Sequence, residues 1–599
     1  MRLVTLFLIA ALVVTSVDAA SYKKKDGTIV NPILDVNGAV HSYSGDNLEP
    51  LVDARGADLS YAELSDANLD NAILRGSILA FVNLTEADLY RARLSDANLS
   101  GANLTDAYLY SSDLSDADLT FANLTRAFLR DARLIRANFT DANLTDADLT
   151  DANLGYANLT DAYLTGATLS GSNVSSSKLQ DAASVTGIDA SGNNMQHFNL
   201  SNLDLSGADL SETNLVEANL TGTNLTGANL FGANLLSADL TDAVLTGVSS
   251  GEGWYGNIPA ALPTDWIFVS GQYANDDNYL VGPGANLQDA DLRWKNLEDM
   301  NLQNVNLQRA SLQHADLENV DLTGATLTDA NLEQADLKGT KLDGTILTGT
   351  DLSRVRSGGI TGTPDDLPID WQLTGGYLIG PGANLSDADL FKADLTGAIL
   401  ANAILIGSNI TESQFLSAAS VTGVDLEGHD MSGWDLTGID LENAYLRNTD
   451  LSWTNLLNAN LYDAYLKGAD LTGAELTGSD LSSVLRYNNA TWTDAFYYTD
   501  NEPTWRPEMD QAWRDSVGIL AIGPTSGDFN YDGVVDAADY TVWRDGGIPD
   551  STTAGYAIWV ANFGQSSASG SGADHVPEPT TLLLTLLALV AAPLRVRHG

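Results

Sequence analysis

From Asp528 the chain reads Asp-Phe-Asn-Tyr-Asp-Gly-Val-Val-Asp-Ala-Ala-Asp. Side-chain oxygens stand at the first, third, fifth, ninth and twelfth places of this loop: Asp528, Asn530, Asp532, Asp536 and Asp539. Gly533 takes the sixth place, where a sharp turn is needed, and Val534 offers its backbone carbonyl at the seventh. Hard oxygen donors at this spacing fit Ca²⁺, and the expectation is one ion. Val535 is the inward apolar residue. The segment 537–545 is expected to be helical, presenting Tyr540 and Trp543, and a second amphipathic segment carries Tyr556, Trp559, Val560 and Phe563 at helical spacing.

No other chemistry is legible. The sequence contains neither His-Glu-x-x-His nor a Walker loop, and no two of its six histidines stand at ligand spacing. With no cysteine, thiolate metal sites and disulfides are excluded. The 79 acidic residues against 29 basic ones give a formal charge of −50. That balance repels nucleic-acid phosphates and favours divalent cations and basic partners, so no nucleic-acid partner is expected. Hydrophobic residues make up 44% of the chain, so the acid covers something that buries leucine and alanine.

The elements that carry this surface repeat every five residues. From Leu59 to Leu179 each fifth residue is Leu, Phe or Val through 25 consecutive units. Alanine usually stands two positions earlier, as at Ala57, Ala62, Ala67 and Ala72, and Asp or Asn very often stands between, as at Asp58, Asn68, Asp88, Asn98 and Asn103. The register recurs over Met195–Leu245, Leu287–Leu352, Leu385–Phe415 and Met431–Leu481. Five suits neither period: a helix would smear the leucines around its axis, and a strand would alternate them between faces. The chain must turn a corner every unit, with one leucine and one alanine inward. Alanine suits a coil with no room for a larger second side chain. Asp and Asn face water, and the end of the unit is a corner for Gly or Asp, as at Gly101, Asp106, Gly222 and Gly227.

This pattern resembles the pentapeptide-repeat family. The resemblance implies an all-β fold, a right-handed quadrilateral β-helix with four units per coil, here about 17 coils. Two interruptions are themselves duplicated. Leu179 to Met195 and Phe415 to Met431 both span sixteen residues and contain Ala-Ala-Ser-Val-Thr-Gly. Leu262-Pro263-Thr264-Asp265-Trp266 and Leu367-Pro368-Ile369-Asp370-Trp371 each precede a Gly-Pro-Gly-Ala-Asn-Leu run. These two are expected to be loops or hairpins budding from the wall. Trp266 and Trp371 either pack on that wall or stack on sugar rings.

The resulting organisation is a leader at 1–20, an N-terminal cap at 21–50, and solenoid at 51–250 with a break at 180–194. An insert at 251–284, solenoid at 285–354, a second insert at 355–382 and solenoid at 383–484 with a break at 416–430 follow. An aromatic cap (485–524), the calcium-loop module (525–564), a linker (565–575) and a tail (576–599) complete the chain. Met1–Ala20 reads as a secretory signal with Arg2 ahead of an apolar run, cleaved or kept as an anchor. The loop and its two helical segments resemble a type I dockerin, with one calcium loop where a dockerin has two. Pro577-Glu578-Pro579, the apolar run Leu582–Leu594 and the basic end Arg595–His598 resemble the PEP-CTERM sorting signal of Gram-negative bacteria. That resemblance implies a sorting protease as partner, transient membrane association through the tail, and a link to extracellular polysaccharide or other surface proteins.

The function expected is therefore an exported, non-catalytic scaffold or binding protein of the cell surface or extracellular matrix. Two alternatives stand beside it: a DNA mimic that binds topoisomerases, and a component of polysaccharide degradation.

Overall fold

The computed structural model describes residues 20–251, 258–269, 278–499 and 501–522. The chain divides into two compact units, 1–425 and 426–599.

The first unit is built from five-residue sides joined at corners. Bridges link residues twenty apart in parallel, as in Asn83, Asn103, Asn123 and Asn143, so four units close one coil. The unit 103–107 shows how every backbone N–H is satisfied. Asn103 N donates to Val82 O at 2.9 Å in the coil before, and Leu104 N to Asn123 O at 2.7 Å in the coil after. Asp106 N donates to Thr125 O at 3.1 Å, and Ala107 N turns back to Leu104 O at 3.0 Å. The remaining donor, Thr105 N, reaches no carbonyl; the Asn103 side chain accepts it at 3.2 Å. An Asp or Asn at this place, where the unit carries one, is therefore more than a tolerated outward residue. It supplies the acceptor that the corner lacks.

Inward, Leu104 and Ala102 are wholly buried, as are their counterparts in successive coils. At several places where alanine gives way to Ser or Thr the buried hydroxyl donates to a carbonyl, whereas Ser172 Oγ and Ser408 Oγ are buried without a partner. Ser77 reaches Leu74 O at 2.7 Å and Thr345 reaches Leu322 O at 2.8 Å. The corner residue two positions after most of the inward leucines is left-handed: Gly101 has φ 65° and Asp106 φ 56°. Its side chain leans over the next coil. A Cβ on Gly171 or Gly349 would overlap the carboxylate of Asp151 or Asp329, twenty residues earlier.

At the N-terminal end, strands β1 (Tyr22–Lys23) and β2 (Ile29–Val30) pair antiparallel, and β3 (Leu34–Asp35) pairs with β4 (Ala62–Glu63) on an early coil. The break expected over 180–194 is narrower. A helix, α1 (Ser176–Asp181), replaces one side, with Leu179 still inward. Bridges resume at once, now twenty-one apart: Tyr163 with Ser184 and Thr168 with Asp189. One extra residue is absorbed by the helical side, so the repeat shifts phase by one and continues. The second copy, α2 (Glu412–Ser417) with Phe415 inward, does the same, and Ile404 bridges Asp425. A helical side cannot pair with its neighbours, so amide side chains substitute. Asn173 Oδ1 accepts Leu154 N at 2.5 Å and Asn409 Oδ1 accepts Leu390 N at 2.6 Å.

Between these helices, β5 (Ile267–Val269) and β6 (Tyr279–Val281) form one antiparallel hairpin, and β7 (Gln372–Thr374) and β8 (Tyr377–Ile379) a second. Each is tied to the coil by the same pair of bonds. The Tyr279 hydroxyl accepts Asp291 N and the Tyr377 hydroxyl accepts Asp389 N, both at 3.0 Å. Leu280 N and Leu378 N donate to Ser250 Oγ and Ser357 Oγ.

The second unit repeats the coil from Leu426, with Asp430, Asp450 and Asp470 bridged in turn. Its last coils are covered by a mixed cap. Strand β9 (Asp480–Leu481) pairs parallel with β11 (Thr504–Trp505), and β10 (Phe496–Tyr498) with β12 (Leu520–Ile522). Helix α3 (Gln511–Val517) is capped by Asp510, whose carboxylate accepts Trp513 N at 2.8 Å, and ends at Gly518. Trp492 is buried beneath Trp513, with ring centroids 6.0 Å apart. The cap protects coil edges that would otherwise present unpaired backbone.

Candidate functional site

The predicted calcium ligands Asp528, Asn530, Asp532, Val534, Asp536 and Asp539, and the motif Pro577, Glu578 and Pro579, lie outside the described residues, as does the leader up to Ala19. Among the described residues, no group of three or more histidine or acidic side chains converges on a metal position.

The acids instead stand at solvated outward positions along the coil faces, interleaved with other residues as in the column Asp88, Tyr108, Phe128 and Asp148, while Asp430, Asp450 and Asp470 form a run of like charge. Neighbouring coils lie about 4.8 Å apart, so like charges in a column repel. Arginines one coil on offset this. Arg126 donates to both oxygens of Asp106, at 2.8 and 2.6 Å, and Arg136 and Arg309 hold Asp116 and Asp289 in the same way. The Arg136 guanidinium keeps the Asp116 carboxyl below the usual carboxylate range. These exposed pairs organise the surface and add little stability. A catalytic acid needs the opposite environment, a dry pocket. Glu475 comes nearest: burial raises its pKa, a hydrogen bond with Thr477 opposes this, and Asp435 adds to the rise.

Gly247-Val248-Ser249-Ser250-Gly251 has the spacing of a serine nucleophile turn. Its serines are wall residues. Ser249 bridges Asn229 and Asn286, and its hydroxyl accepts from Asn286 at 2.8 Å, while the Ser250 hydroxyl accepts Leu280 N. The histidines are dispersed: His41 bonds Ser60 O, His197 faces Glu217, and His429 sits edge-on to Trp434.

Of the two readings left open for Trp266 and Trp371, the structure supports packing. Trp266 is 9% exposed, and Trp371 is partly buried against the core. Each indole occupies the space beside a glycine of the Gly-Pro-Gly run, where a Cβ on Gly282 or Gly380 would overlap the ring. The repeated hairpin motif is thus a packing unit. Sequence reasoning passed over two other tryptophans. Trp294 and Trp453 are 68% and 67% exposed at left-handed corners. Counting two places beyond Leu292 and Leu451 finds both.

The concave features are shallow. One, of about 320 Å³, is lined by Lys25, Asp88, Tyr90, Tyr108 and Tyr110, with the Lys25 ammonium 4.5 Å from the Tyr108 ring centre. Another, of about 440 Å³, lies beside β7 and is lined mainly by Ile360, Pro364, Leu367, Trp371 and Leu373. The second carries no ionisable side chain.

Comparison with known proteins gives a consistent result. The model described as Pentapeptide repeats (8 copies) matches in overlapping segments at 52–181, 186–247, 285–354 and 383–483, more than half of the chain. No curated protein sequence matches. Among solved structures, HetL, a pentapeptide repeat protein involved in heterocyst differentiation regulation from the cyanobacterium Nostoc sp. strain PCC 7120, is 27% identical. The match covers 51% of this chain and 87% of HetL, with a TM-score of 0.16. A pentapeptide repeat protein of the Arabidopsis thaliana thylakoid lumen is 35% identical over 17% of this chain and 66% of its own, with a TM-score of 0.12. Rfr23 from the cyanobacterium Cyanothece 51142 is 21% identical over 30% and 90%, with a TM-score of 0.10.

Proposed function

Because this chain belongs to the pentapeptide-repeat family, whose members adopt a right-handed β-helix fold, we propose that it is a non-catalytic scaffold with an export address at each end, placed at the cell surface or in the extracellular polysaccharide matrix. The observation that carries the reading is one of order along the chain. The leader Met1–Ala20 precedes the repeats, and Pro577-Glu578-Pro579, an apolar run and a basic end follow them. Between these addresses, the described carboxylates stand at solvated outward positions instead of in converging pairs. The organism implied is a Gram-negative bacterium, and the tail is the substrate of a sorting protease.

A single calcium ion belongs to the same reading. Asp528, Asn530, Asp532, Asp536 and Asp539, with the Val534 carbonyl, form an all-oxygen donor set suited to it. Its role is to order the segment between the capped solenoid and the sorting tail.

Fractionation of the native host with mass mapping of both termini tests the proposal. The expected result is a chain outside the cytoplasm, lacking the leader and processed near Pro577–Pro579. A cytosolic chain with Met1–Ala20 intact overturns it. That outcome would favour the DNA-mimic reading, which the outward acids and the charge of −50 support.

A further inference from the structure

The corner two places beyond most of the inward leucines is left-handed, which glycine, aspartate and asparagine adopt most readily. Tyr61, Phe81, Phe121, Tyr156, Trp294 and Trp453 stand there with φ between 57° and 63°. A bulky aromatic at such a corner carries a conformational cost and, when exposed, regains little of it by burial. Trp294 and Trp453 combine the largest ring with about two-thirds exposure.

Both are laid over the next coil. The Trp294 indole lies parallel to the His314 imidazole, with centroids 3.6 Å apart and planes 10° apart, so one face is backed and the rest of the ring meets solvent. The Trp453 indole leans over Gly473, where a Cβ would overlap it, and the corner one coil back, Gly433, has nothing within 4 Å of its Cβ direction. The Trp453 ring thus stands on an otherwise low rim. Polar groups flank both. Asp291 and Arg293, which pair with each other, share the coil of Trp294, and Gln313 stands beside His314. Asp450 and Asp470 lie in the column next to Trp453.

We propose that Trp294 and Trp453 are each a stacking site for a pyranose ring of a neutral polysaccharide. A pyranose has a flat C–H face for the indole and a rim of hydroxyls for the surrounding carboxylates and amides. A polyanionic glycan is opposed by the charge of −50 and by the outward acids. A protein partner would need a contiguous apolar patch, whereas these are single rings among polar side chains. The inference rests on the export reading in that the ligand is met outside the cell.

The test is affinity electrophoresis of the full mature chain in native gels cast with hydroxyethylcellulose, dextran or alginate. The variants are Trp294→Asn, Trp453→Asn and the double variant; asparagine suits the left-handed corner, so the fold is kept, and thermal unfolding checks it. Wild type should be retarded in at least one neutral gel. Each single variant should bind more weakly by about ten-fold, and the double variant should migrate as in a blank gel, with an unfolding midpoint no lower than wild type. Three results overturn the proposal: wild type unretarded in both neutral gels, retardation in alginate alone, or a double variant retarded as strongly as wild type. A surface-located chain that fails the gel test sinks this inference only, and a cytosolic chain that passes it sinks the export reading only.

Discussion

Leu119 is wholly buried, one coil beyond Leu99 and one coil before Phe139, and its N–H donates to Asn138 O at 2.8 Å. Leu119→Ala leaves that backbone bond available and removes three carbons from the dry column. At about 0.8 kcal/mol per buried carbon, transfer alone costs about 2.4 kcal/mol. Because neighbours held by coil hydrogen bonds cannot collapse into the gap, the cavity brings the total to about 3.5 kcal/mol. At about 1.4 kcal/mol per factor of ten, the opening equilibrium rises by about 300-fold. In a solenoid each coil contacts only its neighbours, so the loss should stay local. Native-state hydrogen exchange followed by mass spectrometry reads this directly. Peptides within 95–145 should exchange about two to three decades faster, and peptides within 300–350 should be unchanged. Equal acceleration in both stretches, or none in either, would refute the column of independent coils.

Glu475 gives a pH-dependent counterpart. Burial raises its folded-state pKa, so the neutral acid is the form the fold prefers. Its contribution is fully present below the unfolded value of about 4.3 and is lost as pH rises through the higher folded value. Glu475→Gln should therefore raise the thermal midpoint at pH 7 and leave it unchanged near pH 3.5; a lower midpoint at pH 7 would contradict the burial argument. Asp528→Ala combined with Asp532→Ala should abolish binding of one Ca²⁺ per chain in equilibrium dialysis and leave hydrogen exchange of the solenoid coils unaltered. Undiminished binding would remove the loop from the account.

What could be read from the sequence, and what could not, follows from range. The inward row and its alanine companion, such as Leu104 with Ala102, were legible because a period of five excludes helix and strand. The corner glycines were legible because only a few residue types suit a left-handed turn. The work of Asn103 was not, because it depends on the reach of a side-chain oxygen to the N–H two residues on. The sixteen-residue spacing of Leu179 to Met195 was visible in the sequence. The helical side that takes up its extra residue was passed over, although the second copy carries a capping box, Thr411 with Gln414, at the start of Glu412–Ser417. The tryptophans show how a repeated motif can mislead. Trp266 and Trp371 recur because a hairpin must pack, whereas Trp294 and Trp453 break a local preference for Gly, Asp or Asn and are the ones left open to solvent.

The absence of native cysteine permits a direct measurement of coil geometry. Cysteine pairs can be placed at Asn103 and Asn123, twenty apart, at Thr168 and Asp189, twenty-one apart across α1, and at Asn103 and Asp118, fifteen apart. Dibromobimane, which fluoresces on joining two thiols a few ångströms apart, then reports which pairs face each other. Fluorescence should develop with the first two pairs, whose backbones are bridged in adjacent coils, and not with the third. Fluorescence at fifteen, or its absence at twenty, would contradict four five-residue sides per coil.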